Sequence, residues 1–353
     1  MRSQGVRVVL SAFAGVCFLA GFGGTAALRA AGGVEVKVNE AARRVDVTID
    51  GKPFTSYIWP ATEKKPVLYP IRSAAGALVT RGFPLEPRKG ERVDHPHHLG
   101  LWLNHGDVNG LDFWNNSDAI KPDRAPKMGT VFHRKVVDAK SGADQGELTV
   151  ETAWMTPDGK QLLKETTRFV FRGGANSRSI ERITTLAALD QQVVFKDSKE
   201  GFLGMRMTRA LEQPADKPEV FTDASGKATP VPVLDNTGVT GKYLSSEGKE
   251  GDAVWSTRAK WTLLGGEIDG KPVTVAILDH PSNVGYPTHW HARGYGLFAA
   301  NPLGDSQFTK TKPFDYTLPA GKSVTFKYRV LVIDGKATPE QIERESRTFS
   351  QGS

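Results

Sequence analysis

The sequence predicts an all-β protein: two large antiparallel sheets packed face to face, closed by a short C-terminal helix. Three observations point there. Apolar residues alternate with polar ones in run after run, the period that turns one face of a strand to a core and the other to solvent. The 353 residues include 37 Gly and 21 Pro, about one in six, which provides for many tight turns. Helix signals are few, and no helical segments separate the strands, so roughly fifteen strands connect by hairpins and loops rather than by crossovers.

The chain opens on an expected signal peptide. Arg2 and Arg7 make a basic start, Val8–Ala20 is apolar, and small residues follow. A positive end and a short apolar helix are what a translocon accepts. Thr25 and Ala27 fit the small −3 and −1 positions, which places cleavage after Ala27, with Ala30 as the next choice. Residues 1–27 are read as the signal and 28–353 as a single sandwich domain, periplasmic or secreted. The apolar run is shorter than the ~20 residues of a membrane span, and no later run approaches that length, so the mature chain has no expected span.

Cleavage removes Arg2, Arg7 and the single cysteine, Cys17. That leaves 44 Lys+Arg against 39 Asp+Glu, a net charge of +5 in place of +7. The excess is mild and forms no basic run, which argues against a nucleic-acid partner. A mature chain without cysteine excludes a disulfide framework and a thiolate zinc site, and it suits an oxidising compartment.

The strands then follow in order. Val34, Val36 and Val38 alternate with polar residues, as do Val45, Val47 and Ile49. Leu148, Val150, Thr152 and Trp154 lead to the turn Pro157-Asp158-Gly159, and Thr167, Phe169 and Phe171 return from it. Val273, Val275 and Ile277 repeat the theme, and Val324, Phe326, Tyr328, Val330 and Val332 give its longest run. The string Ile-Asp-Gly-Lys-Pro occurs at Ile49–Pro53 and again at Ile268–Pro272, one hairpin turn used twice. Residues 211–253 are polar and rich in Pro, Gly, Asp and Lys, and read as an inserted loop beside a site. In the tail, Thr338 can cap a helix, Pro339 fits its first turn and Gln341 completes a capping box. The apolar face of that helix is thin (Ile342 and Phe349), which predicts docking on a sheet edge.

The eight histidines are unevenly spread. His95, His97, His98 and His105 fall in one short stretch, His289 and His291 in another, and each stretch holds a His-x-His pair. In an extended chain both rings of such a pair face one way, about 7 Å apart, so two pairs on neighbouring strands would gather four imidazoles. Imidazole serves as acid or base near neutral pH, as a metal ligand, or as a hydrogen-bonding group for buried backbone. His95, His97, His98, His289 and His291 are therefore candidate catalytic groups. His95, His97, His289 and His291 are alternatively ligands of a divalent metal, though no third-ligand spacing accompanies them and Pro96 bends the first pair. His133 and His280 stand outside the pattern and read as structural.

The surroundings suit a sugar or small polar ligand. Trp102, Trp114 and Trp290 can stack on sugar faces, or pack the core. Asn104, His105, Asp107, Asp112 and Asn115 can bind hydroxyls. Glu200 and Arg206 bring a carboxylate and a guanidinium to a turn-to-strand segment, with Glu200 a second acid/base partner. Arg72 and Arg293 can hold an anionic or polyol group. There is no phosphate loop, GxGxxG helix start, Gly-x-Ser-x-Gly elbow or HExxH, which argues against common nucleotide enzymes, α/β-hydrolases and zincin proteases.

Asp94–Trp102 (DHPHHLGLW) with His105–Trp114 (HGDVNGLDFW) resembles a bacterial family of unknown function labelled "methane oxygenase PmoA". Lys65–Pro70, Glu200–Gly204 and His289–Pro302, which includes Asn301, carry the same resemblance over nearly the whole mature chain. The resemblance implies an exported β-sandwich without a settled activity. A weaker likeness, resting on architecture and on the closing Leu318–Lys322 hairpin, is to the supersandwich of galactose mutarotase. There a histidine acid pairs with a glutamate base, and the nearest counterparts here are His97 or His289 with Glu200. These readings converge on an exported carbohydrate-processing enzyme that transfers protons on a sugar: an epimerase, lyase or hydrolase. The alternatives are a non-catalytic glycan-binding sandwich and a metal-dependent oxidoreductase, as the family label suggests.

Overall fold

A computed structural model gives the structure of Met1 and residues 32–352. The expected signal, including Cys17, lies outside the described residues apart from Met1. In chain order the strands are β1 (Val34–Asn39), β2 (Arg44–Ile49), β3 (Lys52–Ile58), β4 (Val67–Leu68), β5 (Leu101–His105), β6 (Thr130–Lys140), β7 (Gln145–Met155), β8 (Gln161–Gly173), β9 (Ser177–Ala188) and β10 (Val193–Phe195). They continue as β11 (Gly201–Arg206), β12 (Glu219–Thr222), β13 (Ala228–Val231), β14 (Lys242–Ser245), β15 (Trp261–Ile268), β16 (Lys271–Asp279), β17 (His289–Arg293), β18 (Leu297–Asn301), β19 (Tyr316–Leu318) and β20 (Ser323–Asp334). Two helices are α1 (Ser306–Thr309) and α2 (Pro339–Gly352).

Sixteen of these strands form two eight-stranded sheets, β1-β2-β3-β4-β5-β11-β18-β17 and β14-β15-β16-β20-β9-β8-β7-β6, and every named pairing is antiparallel. Alternation delivers the core. Val45, Val47, Leu101, Leu103, Met205 and Phe298 of the first sheet share one buried cluster with Leu148, Val150, Phe169, Phe171, Val275 and Val330 of the second. Phe202 meets Phe326 across the sandwich at 4.5 Å between ring centres. The repeated Ile-Asp-Gly-Lys string makes the same turn twice. Asp50 and Gly51 have φ of +52° and +72°, and Asp269 and Gly270 have +51° and +72°. Positive φ at both central residues is what a two-residue hairpin turn matched to strand twist requires.

Two expectations need correction. Helix α2 docks on a sheet face rather than an edge. Its Ile342 and Phe349 are fully buried on Trp261, Leu263, Leu278, Leu331 and Ile333. Those residues alternate with the inward-facing Leu264, Ile277, Val330 and Val332, so β15, β16 and β20 are apolar on both faces and the helix covers the outer one. Residues 211–253 are not all loop. They contain the β12–β13 hairpin and the edge strand β14, whose Tyr243 donates a hydrogen bond to the Leu297 carbonyl of the first sheet at 3.0 Å. Among the described residues no helix is long and apolar enough to cross a membrane.

Candidate functional site

The face of the first sheet turned away from the core is not bare. Trp102, Gly204, Ala299 and His291 lie in one register row across β5, β11, β18 and β17. A Cβ at position 204 would lie 2.5 Å from the Trp102 indole, so only glycine lets that ring lie flat across the sheet. Above the row sits the loop that carries His95, His97 and His98.

That loop is folded by one buried arginine. Arg81 donates to the carbonyls of Arg92, Asp94, His95 and His98 and to the Asp94 carboxylate at 2.7 Å. Arg206 donates to the same Asp94 oxygen at 2.6 Å. Burial alone would raise Asp94, but Arg206, the His95 hydrogen bond and Arg81 outweigh it and hold this carboxyl well below the usual range. Ionised Asp94 can only accept, so it takes the Nδ1–H of His95 at 2.6 Å and leaves Nε2 as the free basic nitrogen. His95 itself has φ +45°, a left-handed conformation that costs a non-glycine residue about 1–2 kcal/mol and persists only where the surroundings impose it.

The rings form a continuous stack. Tyr295, His95, His98 and Trp102 follow one another at 5.1, 4.8 and 5.2 Å between centres, with planes within 20°. His97 meets His98 edge-on at 4.4 Å, and Trp114 packs on Trp102 at 5.0 Å. Arg206 donates to His98 Nδ1 at 3.2 Å, so the His98 proton is on Nε2. Burial, then the neighbouring positive charges, pushes His97 down to about 2 and His98 well below the ordinary histidine value, so both stay neutral.

Beneath the stack lies Lys65. It is 2% exposed, its ammonium sits 5.7 Å from the centre of the Trp102 ring, and its Nζ has no hydrogen-bond partner. Burial lowers it to about 8. His98 Nε2 and the indole nitrogens of Trp102 and Trp114 are likewise buried without partners. Glu200 enters from the turn before β11. Burial raises its carboxyl above the usual range, and His95 and Asp112 are among the charges acting on it.

The two His-x-His pairs do not meet as four imidazoles. The first pair lies in a turn, not a strand, with the His98 amide donating to the His95 carbonyl at 2.9 Å. In β17 both rings face one way, each against Phe308, and the His95 charge is among the causes that lower His291. His291 Nδ1 donates to the Lys199 carbonyl at 2.9 Å, and burial pulls the ring down to about 3. His289 has both nitrogens engaged, one by Asp305 at 2.8 Å and one by the Ser256 carbonyl at 3.2 Å. Among the described residues no group of three or more His, Cys, Asp or Glu side chains is placed to hold a metal, so the set His95, His97, His289 and His291 is not assembled.

Other candidates serve the frame. Arg72 lines a separate cleft of about 470 Å³ over β1–β3. His105 donates from Nε2 to the Lys196 carbonyl at 2.7 Å and packs between Phe195 and Phe202. Asn104 pins the Phe113 carbonyl, and Asn301 pins Ser198 and Leu303. Asp112 closes a turn with Asn115 while acting on Lys65 and Glu200. His133 stacks on Trp59, and His280 bonds Ser282. Lys65, Asp94, Arg81 and Tyr295 complete the site without having been singled out. Asp94 and Tyr295 adjoin the histidine motifs and were within reach of the sequence. Lys65 opens the Lys65–Pro70 stretch, but neither it nor Arg81 carries a chemical sign of its role in the sequence.

The sequence pattern described as "Family of unknown function (DUF6807)" matches residues 44–347. No curated protein matches the chain. Among solved structures, an α-galactosidase from Lactobacillus brevis is similar over 89% of this chain, at 11% identity and a TM-score of 0.42. This chain spans 42% of that protein's length. A galactose mutarotase-like protein from Clostridium acetobutylicum aligns over 85% of this chain and 98% of its own, at 9% identity and a TM-score of 0.40. A galactose 1-epimerase from Lactobacillus acidophilus aligns over 86% and 98%, at 11% identity and 0.33. Likeness of this degree decides nothing about what the present chain acts on.

Proposed function

Since the chain belongs to the DUF6807 family, whose function is unknown, we propose that it is an exported carbohydrate-processing enzyme that moves protons on a sugar or sugar derivative. One observation carries this reading: the Asp94–His95 pair. An imidazole at the surface has its Nδ1 tied to a carboxylate that two arginines keep ionised, which leaves a basic Nε2 directed by the ring stack. A carboxyl with the opposite bias, Glu200, lies within its electrostatic reach. An imidazole hydrogen-bonded to an ionised carboxylate and a carboxyl raised by burial divide naturally into base and acid. His95 takes a proton from carbon or hydroxyl, and Glu200 gives one. The buried Lys65 and the neutral His98 Nε2–H supply positive potential beneath an oxygen that becomes negative.

The test is turnover of a saccharide panel followed by proton NMR in deuterium oxide, which reports anomeric exchange, elimination and C–H exchange together. His95→Ala and Glu200→Gln should each lower the rate at least about 100-fold, the usual span for losing a general acid or base. An active protein whose His95→Ala variant keeps its rate defeats the reading. Export is proposed from the basic–apolar–small order of residues 1–27. Intact mass of protein from the periplasmic fraction or medium should then correspond to a chain beginning at Leu28, and a cytoplasmic chain retaining Met1 would overturn it.

A further inference from the structure

A second cleft, of about 460 Å³, opens beside the ring stack and is lined by Tyr295, Arg293, Trp255, Gln213, Asp252 and Glu219 among others. Tyr295 forms the wall between this cleft and His95, on which its ring lies parallel at 5.1 Å. Two of the cleft's carboxylates are already used. Asp252 takes the Gln213 amide at 2.7 Å, and Glu219 takes Arg92 at 2.6 Å. The donors are not. The Arg293 guanidinium lies over the Trp255 ring at 5.3 Å and makes no ion pair or hydrogen bond with the described residues, and the Tyr295 hydroxyl also lacks a partner among them.

A guanidinium held over an indole loses less freedom on binding than a solvated one, and its fork matches a carboxylate in two parallel hydrogen bonds. The rim charges favour a single negative charge. Arg92 is neutralised by Glu212 and Glu219, and Asp216 and Asp252 also line the cleft, so a second negative charge on a ligand would be repelled. We propose that this cleft binds the carboxylate of a sugar acid, Arg293 taking the two oxygens and the Tyr295 hydroxyl donating to one of them. This rests on the reading of His95 as the acid/base group of a sugar enzyme. It adds the substrate class: a uronic or aldonic acid residue, its carboxylate held next to the ring that stacks on His95.

The experiment measures affinity of the purified protein for D-glucuronate and D-galacturonate beside D-glucose and D-galactose, by calorimetry or ligand-observed NMR. At least one uronate should bind about tenfold or more tightly than its neutral hexose, the scale of a hydrogen bond to a charged group. Arg293→Met should erase that preference, and Arg293→Lys should keep part of it. Tyr295→Phe, which retains the ring on His95, gives a second readout should Arg293→Met fold poorly, and it too should weaken the uronate selectively. Equal affinity for acid and hexose, no uronate binding, or a preference that survives Arg293→Met overturns the assignment. His95→Ala separates the two readings. Uronate binding through Arg293 with no conversion by the wild type would remove the proposed chemistry and leave the cleft, whereas conversion of neutral sugars independent of Arg293 would do the reverse.

Discussion

Lys65 is the residue whose cost is easiest to state. Its ammonium is buried against Trp102 without a carboxylate or hydrogen-bond partner, and burial lowers it from 10.5 to about 8. The unfolded chain therefore binds the proton more tightly than the folded one. Folding carries the full penalty below about pH 8 and is relieved as pH rises toward 10.5. A shift of this size corresponds to about 3 kcal/mol. Methionine has similar length, needs no partner and packs well against aromatic rings. Lys65→Met is thus expected to raise the melting temperature at pH 7, to narrow its lead over wild type as pH approaches 10, and to lower turnover. Calorimetry across pH 7–10 checks the first two. A variant less stable than wild type at pH 7 would show that the ammonium is satisfied in a way the structure does not display. Proteins keep such a destabilising group where it has work to do.

At the scale of elements, legibility depended on whether a residue's partners were near in sequence. The long alternations became β7, β8, β16 and β20 because a strand's two faces are written two residues apart. The two Asp-Gly turns were readable because positive φ selects those residue types directly. The capped start of α2 was readable too, but its docking was not. The outer face of β15, β16 and β20 is apolar because a helix from the far end of the chain covers it, and nothing local says so. The histidine motifs marked the right region and the wrong geometry. His95-Pro-His97 reads as an extended pair, yet Arg81 gathers four carbonyls of residues 92–98 and wraps the segment into a turn. Arg81 and Arg206 reach Asp94 from more than ten and more than a hundred residues away. Long-range ion pairs of this kind leave no periodicity and no motif. That is why His95 and Asp94 emerge as the working pair only in the folded chain.

For the whole molecule, the site determines how stability responds to acid. His97 and His98 from one loop, His105 from β5 and His291 from β17 gather around the first sheet, and burial is the first cause that lowers each of them, His97 to about 2 and His291 to about 3. Unfolding releases all four to ordinary histidine behaviour. Below about pH 6.5 the unfolded chain binds protons that the folded chain refuses, so stability is fully present above that value and falls as pH drops. Each such histidine contributes up to about 1.4 kcal/mol per pH unit. Asp279 works the other way. Burial raises it to about 7, so the folded chain takes up a proton as pH falls and offsets roughly one histidine. The balance still favours unfolding in acid. Melting temperature should fall steadily from pH 6.5 to 4.5, and His97→Asn and His291→Asn should each flatten that slope while leaving the profile above pH 7 nearly parallel to wild type. Variants that lose stability equally at pH 7 and pH 4.5 would mean that these rings are merely packed, and that their neutrality is not what ties the sandwich's stability to the site on its outer face.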